Sequence, residues 1–589
     1  MTSLKPGSSR LLVYAHYNPQ GLVSEYVYHS ISELKKVAES IIFVSNSVLK
    51  NKDEKRLNDL CDDVLQRENK GYDFAAWRDV LKKIGWKSLE PFDSLILMND
   101  TCFGPIFDIS DIFYEMEKRE VDFWGLTNNE KHIDRSTWQR KVIPKHLQSY
   151  FICFPKKTFR KKVFQRFFES IEDMENVNTV VEKYEIGLSK TLENAGLHYE
   201  SYVNTDDRFG RFKFQVAFLA PDLLLNAGSP LVKVKSFFFF EHPEFIKKQL
   251  REKFAYDTAL IDNHIYNSYG PEKAVRVSDK KLLFRKNQSE IIPQKLPDMA
   301  IHIHVYFMDI FKEHLAIIRN NTKFAELFIT TDSQEKAAEV RELTADFEQK
   351  KEIIVFENRG RDVLSWLKIS EKLSGYEICA HLHLKKSTEL PEWVGKSWMD
   401  DTFSLLLNRL DEIAYEFKKN EKLGIVIPDV PQYFKLTERI LYDDEEVENT
   451  ERYLRKIGVK NIFPENSFQA PVMAYGNMLI YRPKALKPLL DGEIKDGFFP
   501  KEPIPPKNTV AHIIERLPVY VAWSEGYDFR IAMEKVNIMS GFAFQQRSKL
   551  RDVKKSFYDT WQWKIGRVFT FIPGLFKRYI RNRNKSIKK

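Results

Sequence analysis

The chain has 589 residues, 43% hydrophobic and 30% charged, with 23 Gly and 25 Pro. Single hydrophobic cores stop growing near ~250–300 residues, so this composition calls for at least two globular domains and excludes collagenous or disordered classes. The formal charge of +9 is uneven: residues 545–589 hold fourteen Lys/Arg against Asp552 and Asp559, a net +12, which leaves residues 1–544 at −3.

Cys61, Cys102, Cys153 and Cys379 show no C-x-x-C spacing, so neither a zinc ribbon nor a disulfide framework is expected, and a reducing compartment is. No run reaches the ~18 apolar residues of a membrane span, and Met1 to Arg10 lacks the apolar region of a signal peptide, so the expected location is cytoplasmic.

In chain order, Leu11-Leu12-Val13-Tyr14-Ala15-His16 reads as a buried strand. Tyr26 to Glu39 reads as a helix, with Val27, Ile31, Leu34 and Val37 on one face, and Ile42-Phe43-Val44-Ser45-Asn46 as a second strand. The apolar Asp63-Val64-Leu65 leads into Glu68-Asn69-Lys70-Gly71-Tyr72-Asp73-Phe74-Ala75-Ala76-Trp77, and a helix is expected from near Ala75. Ser94 to Asp100 is the next strand, completing a β-α-β-α-β order that predicts a parallel sheet covered by helices. Farther on, the aromatic run Phe237 to Phe240 and a charged helix, Pro243 to Phe254, read as a docking segment.

The pattern then repeats. Glu357-Asn358-Arg359-Gly360-Arg361-Asp362-Val363-Leu364-Ser365-Trp366 returns the Glu, Asn, Gly, Asp and Trp of the first segment at a constant offset of 289, with Arg359 in place of Lys70. Met299 to His304, Ile310 to Ile318, Leu327 to Thr331 and Glu377 to His383 repeat the flanking strands and helix. The expected fold is therefore α/β, with two tandem Rossmann-type units at 8–230 and 298–544. A helical linker at 231–297 joins them, and a basic amphipathic tail covers 545–589.

In open α/β sheets ligands bind beyond the carboxyl ends of the strands, which selects three clusters per copy. In the first cluster Gly71 and Gly360 permit a tight turn, while Asn69, Asp73, Asn358 and Asp362 offer hydrogen bonds to a base or sugar hydroxyl. An Asx-type turn with a helix cap is the structural alternative. The second cluster is Asn99-Asp100-Thr101-Cys102-Phe103-Gly104-Pro105. Here Asp100 is the candidate ligand for Mg²⁺ or Mn²⁺ bridging a diphosphate. Copy two carries His381-Leu382-His383-Leu384-Lys385-Lys386-Ser387 at that place, so Lys385 and Lys386 would neutralise phosphate without metal. His381 and His383 also form a zinc-like pair, though no third ligand is evident. The third cluster puts Glu185 and Glu515 on helical patterns followed by Gly196 and Gly526. Each Glu is a candidate general base for an acceptor hydroxyl, with a plain surface carboxylate as the alternative, and His512 is a candidate to line the same cleft.

These residues carry a resemblance. Val13-Tyr14-Ala15-His16-Tyr17, Asn69 to Phe74, Leu97 to Pro105, Asp122-Phe123-Trp124-Gly125 and His146 to Phe151 are similar to the rhamnan synthesis protein F family of bacterial polysaccharide glycosyltransferases. So are Asn358 to Val363, His381 to Ser387, and Gly476-Asn477-Met478-Leu479 leading to Arg482-Pro483-Lys484-Ala485-Leu486. The resemblance implies a GT-A-like fold, dTDP-L-rhamnose as donor and a growing rhamnose polymer on a polyprenyl lipid as acceptor. Thr101 stands where the family usually has Ser. The Gly-x-Met-x-aromatic stretch reads Gly476-Asn477-Met478-Leu479-Ile480, which leaves the second acceptor site and its linkage open.

In the tail, Trp561, Trp563, Phe569, Phe571, Phe576 and Tyr579 interleave with the basic residues. Cations attracted to anionic lipid at ~1 kcal/mol each, beside aromatics at headgroup depth, read as a peripheral anchor on the inner face of the plasma membrane. Nucleic-acid binding is the competing reading of such a tail, and the weakly acidic body offers it no second surface. Two other functions compete with sugar transfer: a sugar-phosphate transferase, which also needs a diphosphate cradle, and a non-catalytic scaffold among other polysaccharide assembly proteins.

Overall fold

A computed structural model describes residues 8–133, 141–206, 209–210, 215–239, 243–284, 296–384, 392–431, 444–459, 471–492, 496–505 and 508–534. Lys385, Lys386 and the basic tail lie outside these described residues. The chain divides into two compact units, Met1–Tyr269 with Arg276–Asp279, and Gly270–Val275 with Lys280–Lys589.

The first unit opens with β1 (Arg10–His16), α1 (Glu25–Leu34), β2 (Ser40–Ser45), α2 (Asn51–Asn58), β3 (Asp63–Gln66), α3 (Tyr72–Ile84) and β4 (Ser94–Asn99). The apolar runs become strands because both sheet faces are covered: every residue of β1 and β4 is buried. Two helix boundaries differ from the expected ones. α1 stops at Leu34, since the amide of Ala38 turns back onto the Leu34 carbonyl and that of Glu39 bonds Arg10, which feeds the chain into β2. α3 starts at Tyr72 because Gly71, at φ 77°, caps it in the left-handed region and places Asp73 in the first turn.

The unit continues with β5 (Cys102–Phe103), α4 (Ser110–Lys118), β6 (Phe123–Asn129), β7 (Phe151–Pro155), α5 (Ile186–Asn194), β8 (Tyr199–Val203) and β9 (Val232–Lys233). The main sheet runs β3-β2-β1-β4-β7-β6-β8, with β7 antiparallel to both its neighbours; His146–Leu147 pairs with β6 off this path. β9 lies outside that sheet and pairs antiparallel with β5, Lys233 opposite Cys102. Phe74, Trp77 and Val80 of α3 pack into a core with Leu97, Phe154, Phe164 and Leu188.

The second unit repeats the plan with β10 (Lys281–Phe284), β11 (Met299–His304), α6 (Met308–Asn321), β12 (Glu326–Thr331), α7 (Gln334–Leu343), β13 (Lys351–Val355), α8 (Arg361–Lys368), β14 (Ile378–His383), β15 (Leu423–Pro428), β16 (Leu479–Tyr481), α9 (Val510–Arg516) and β17 (Asp528–Glu534). Its sheet runs β13-β12-β11-β14-β16-β15-β17-β10. Numbered from the first strand of each copy, both sheets have the order third, second, first, fourth, sixth, fifth, seventh. The sixth is antiparallel in each. The tandem α/β arrangement expected from the sequence is present, and the internal repeat extends to topology. Among the described residues no helix is long and apolar enough to cross a membrane, and Cys61, Cys102, Cys153 and Cys379 are buried free thiols.

Candidate functional site

In both units the repeated motif folds the same way. Gly71 and Gly360 adopt φ 77° and 67°, Tyr72 and Arg361 follow at φ 54°, and the helix then begins with Asp73 or Asp362 in its first turn. Non-glycine residues at positive φ carry strain, so the surroundings must impose it. In the first unit they do so through Arg67, which donates to Asp79, to Asn46 Oδ1 and to the Lys70 carbonyl. The Gly71 amide also donates to Met174 O, and the Tyr72 hydroxyl to Glu175 O. In the second unit Arg359 donates to Phe499 O and Arg361 reaches Glu502. In each copy, then, the loop ahead of the glutamate helix clamps the motif. Asn69 and Asn358 sit half-buried two residues ahead of these glycines, outside the hydrogen-bond clusters around Asp73 and Asp362.

The first unit gathers an acidic centre beyond the ends of β1 and β4. Asn99 Nδ2 donates to Asp73 Oδ2 at 2.7 Å, and Asp100 Oδ2 accepts from the Tyr17 amide at 3.1 Å. Burial and then the charge of Asp73 push the Asp100 carboxyl from 3.8 up to about 8. Burial likewise raises Asp73 to about 6, opposed by Asn99 and Lys233 and reinforced by Glu185. Glu185 belongs to this group: it ends a single π-turn, Val181–Glu185, ahead of α5, and one carboxylate oxygen accepts from the Ser149 amide at 3.2 Å. His16 Nε2 lies 3.9 Å from Asp100, but burial drops this imidazole to about 4, so it brings no positive charge.

The second unit places the same elements around a different set of side chains. Asp362 Oδ2 accepts from Asn477 Nδ2 at 3.0 Å and lies 3.3 Å from His381 Nε2. Burial opposes its charge, yet His383, His381 and the Asn477 amide outweigh burial and hold the carboxyl well below its usual range. His381 stacks on Trp366 at 4.7 Å and lies 2.9 Å from His302 through their Nδ1 atoms. His302 and His304 share the Thr330 hydroxyl, and burial lowers both imidazoles. His383 bonds the Gly476 carbonyl, and Glu515 Oε1 accepts from the Gly476 amide at 2.8 Å. Each glutamate thus holds the loop that enters the antiparallel sixth strand, Glu185 before β7 and Glu515 before β16. His512, on the same helix as Glu515, bonds Thr509 at 2.7 Å, and α9 packs against α8.

Among the described residues no group of three or more His, Cys, Asp or Glu side chains is placed to hold a metal ion. The zinc reading of His381 and His383 has no third ligand there. Asp73 and Asp100 supply hard carboxylate oxygens whose charge is opposed by burial, which suits a Mg²⁺ or Mn²⁺ that takes its other ligands from phosphate and water.

Several residues in these clusters were not singled out from sequence. Lys233 comes from β9, remote in the chain, and nothing in its local pattern marks it. His302 and His304 alternate along a strand that reads as core, and their only signal is pairing with His381 and His383 across β11 and β14. Asn477, at φ 57°, had a signal in its position after Gly476.

Two mostly parallel sheets of one topology, each with a carboxylate-bearing helix start beyond its strand ends, define a protein of two tandem α/β units. The chain belongs to the rhamnan synthesis protein F family, whose model matches residues 41–527. It is 28% identical over 211 residues to protein y4gN of Sinorhizobium fredii, covering 36% of this chain and 52% of that one. It is 30% identical over 225 residues to protein WxcX of Xanthomonas campestris, covering 37% of this chain and 30% of that one. The chain thus spans about half the length, or less, of these curated relatives. Among solved structures it is similar to the glycosyltransferase GlyE of Streptococcus pneumoniae, at 13% identity and a TM-score of 0.23, covering 65% of this chain and 87% of that one.

Proposed function

We propose that the chain is a glycosyltransferase of polysaccharide synthesis that transfers L-rhamnose from dTDP-L-rhamnose to a polyprenyl-linked polyrhamnose acceptor. The observation that carries this reading is the acidic centre of the first unit, where burial opposes the charge of two neighbouring carboxylates. Family membership supports the polysaccharide context.

In the first unit Asp73 and Asp100 would hold Mg²⁺ or Mn²⁺, which when bound supplies charge neutralisation of the departing diphosphate. Asn99 keeps Asp73 oriented, and the Asn69–Asp73 loop is the base and sugar side of the cleft. Glu185 is positioned by the Ser149 amide through one oxygen. Its other oxygen is the proposed acceptor of the proton from the attacking hydroxyl. In the second unit Asp362 is already held by Asn477 and His381, His383 replaces the Asp100 carboxylate, and Glu515 is the matching base. This unit is proposed to work without a divalent cation, with Lys385 and Lys386 facing phosphate.

The proposed domain limits are 8–230 and 298–544 for the two transferase units, 231–297 for the connecting segment and 545–589 for a peripheral membrane anchor. Cytoplasmic placement and partnership with other assembly proteins follow from the same reading.

The test is transfer of labelled sugar from dTDP-rhamnose to a synthetic lipid-linked acceptor, with Asp73→Ala and Asp362→Ala assayed separately. Movement of phosphate instead of sugar supports the sugar-phosphate transferase. Unchanged polymer synthesis in vivo with both variants supports the scaffold and ends the catalytic reading.

A further inference from the structure

Beside the acidic centre of the first unit stands a cation that, among the described residues, pairs with none of its carboxylates. Lys233 sits on β9, which the main sheet does not contain, and the pairing of β9 with β5 sets it opposite Cys102. Its Nζ donates to Thr101 Oγ1 at 3.3 Å and lies 4.9 Å from the centre of the Tyr150 ring. Thr101 is itself turned onto Asn99 Oδ1 at 2.6 Å, and Asn99 bonds Asp73, so the ammonium adjoins the acidic centre through two side chains. The Asp73 carboxylate and the Lys233 ammonium feel each other's charge. Yet among the described residues no carboxylate lies within ion-pairing distance of Lys233 Nζ.

This half-buried ammonium has one weak neutral oxygen acceptor and lies over the rings of Tyr150 and Phe218, at 4.9 and 5.5 Å, so among the described residues two of its three N–H donors meet no oxygen. An ammonium held in a cleft beside carboxylates, but bonded to none of them, suits an anion that enters with its own oxygens. The strand that carries it hydrogen-bonds to the Asp100–Pro105 stretch, so its position is tied to the segment proposed to face the diphosphate. Val234 N donates to the Thr101 carbonyl at 2.9 Å, which fixes β9 on the far side of Lys233 as well.

We propose that Lys233 is the residue through which the first unit grips the diphosphate of its ligand, supplied by a segment outside the repeated sheet. This rests on the reading of the cleft as a nucleoside-diphosphate site.

The test is hydrogen–deuterium exchange of the full chain titrated with thymidine diphosphate in Mg²⁺. Protection of residues 97–106 reads the first unit, and protection of residues 477–482 serves as an internal reference in the second. In Lys233→Met the concentration needed to protect 97–106 should rise roughly tenfold or more, the scale of a lost charge-assisted hydrogen bond. The reference should not move. Lys233→Arg, which keeps the charge, should recover most of the loss, and inorganic pyrophosphate should compete in the wild type but not in Lys233→Met. An unchanged titration at 97–106 in Lys233→Met, or undiminished pyrophosphate competition, overturns the proposal and leaves the lysine a purely structural partner of Thr101. Absence of any protection in the wild type overturns the donor-site reading itself, and the proposal with it. Should Lys233→Met fail to fold, Lys233→Gln is scored by the same criteria.

Discussion

Replacing Asp100 with Asn should stabilise the apo protein at neutral pH and flatten its dependence on pH. Burial and then the charge of Asp73 oppose ionisation of the wild-type carboxyl and push it in the folded state from the ordinary 3.8 up to about 8. Between those values the folded protein keeps a proton that the unfolded chain has released. Stability from this group is therefore fully present below 3.8 and is lost as pH rises toward 8. At ~1.36 kcal/mol per pH unit, the interval from about pH 5 to about 7.5 takes away roughly 3 kcal/mol, an upper bound because Asp73 shares the same proton. Asn keeps the shape and can still accept the Tyr17 amide hydrogen bond, but it has no charge to desolvate. Urea unfolding across this interval, with hydrogen exchange at α3 as the reporter for the first unit, should show the lead of Asp100→Asn over the wild type growing with pH. From about pH 5 to about 7.5 that lead should increase by about 2–3 kcal/mol. Millimolar MgCl₂ should narrow that gap by stabilising the wild type alone. Parallel pH profiles for the two proteins would refute the argument that an unneutralised buried carboxylate sits at this position.

Gly71→Ala forces a Cβ to within 2.5 Å of the Ala75 Cβ at φ 77°, and Gly360→Ala does the same against the Phe499 ring at φ 67°. Each should cost roughly 1–3 kcal/mol by urea unfolding, with the loss confined to the unit that carries the change. Asn477→Ala removes the amide that donates to Asp362 and should destabilise the second unit by roughly 1–3 kcal/mol, whereas the double variant with Asp362→Asn should recover part of the loss. A chelator should abolish nucleotide-induced protection of residues 97–106 and spare that of residues 477–482; equal loss in both would contradict metal-free binding in the second unit. Trp366→Phe deletes the hydrogen bond to Tyr481 and part of the surface stacked on His381, and should lower the melting temperature of the second unit without shifting that of the first.

Much of this architecture is legible because the repeat preserves residues whose backbone demands are severe. Gly71 and Gly360 are needed for left-handed caps, Asp73 and Asp362 occupy the first helical turn, and Trp77 and Trp366 fill the core beneath, so similarity survives where alternatives are costly. The strands are legible because burial on both faces calls for unbroken apolar runs. What could not be read has two physical origins. Helix ends depend on where the chain must turn next, which is why α1 stops at Leu34 although Val37 continues its apolar face into the core. Cluster membership depends on tertiary pairing. The two-residue β9 carries too little pattern to announce itself, and its register with β5 is what delivers Lys233 to Thr101. The histidines of β11 gain meaning only when β14 lies beside them in register.

The two units meet one electrostatic demand in opposite ways. Each begins a helix with an aspartate in a poorly hydrated cleft, and a carboxylate there is costly unless something answers its charge. In the second unit the answer is internal: Asn477 and His381 bond Asp362, and neighbouring imidazoles keep it ionised with no ligand present. In the first unit the position equivalent to His383 is Asp100, which adds a second negative charge, and the neutral His16 does nothing to offset it. Asn99 answers Asp73 only in part, and Lys233 stands close without pairing. Such a site holds a proton when empty, which the proposed cation would have to displace, so on that proposal ligand binding and pH are coupled in the first unit and much less so in the second. One repeated scaffold can in this way carry the two proposed binding modes, separated by the residue that follows or ends the fourth strand.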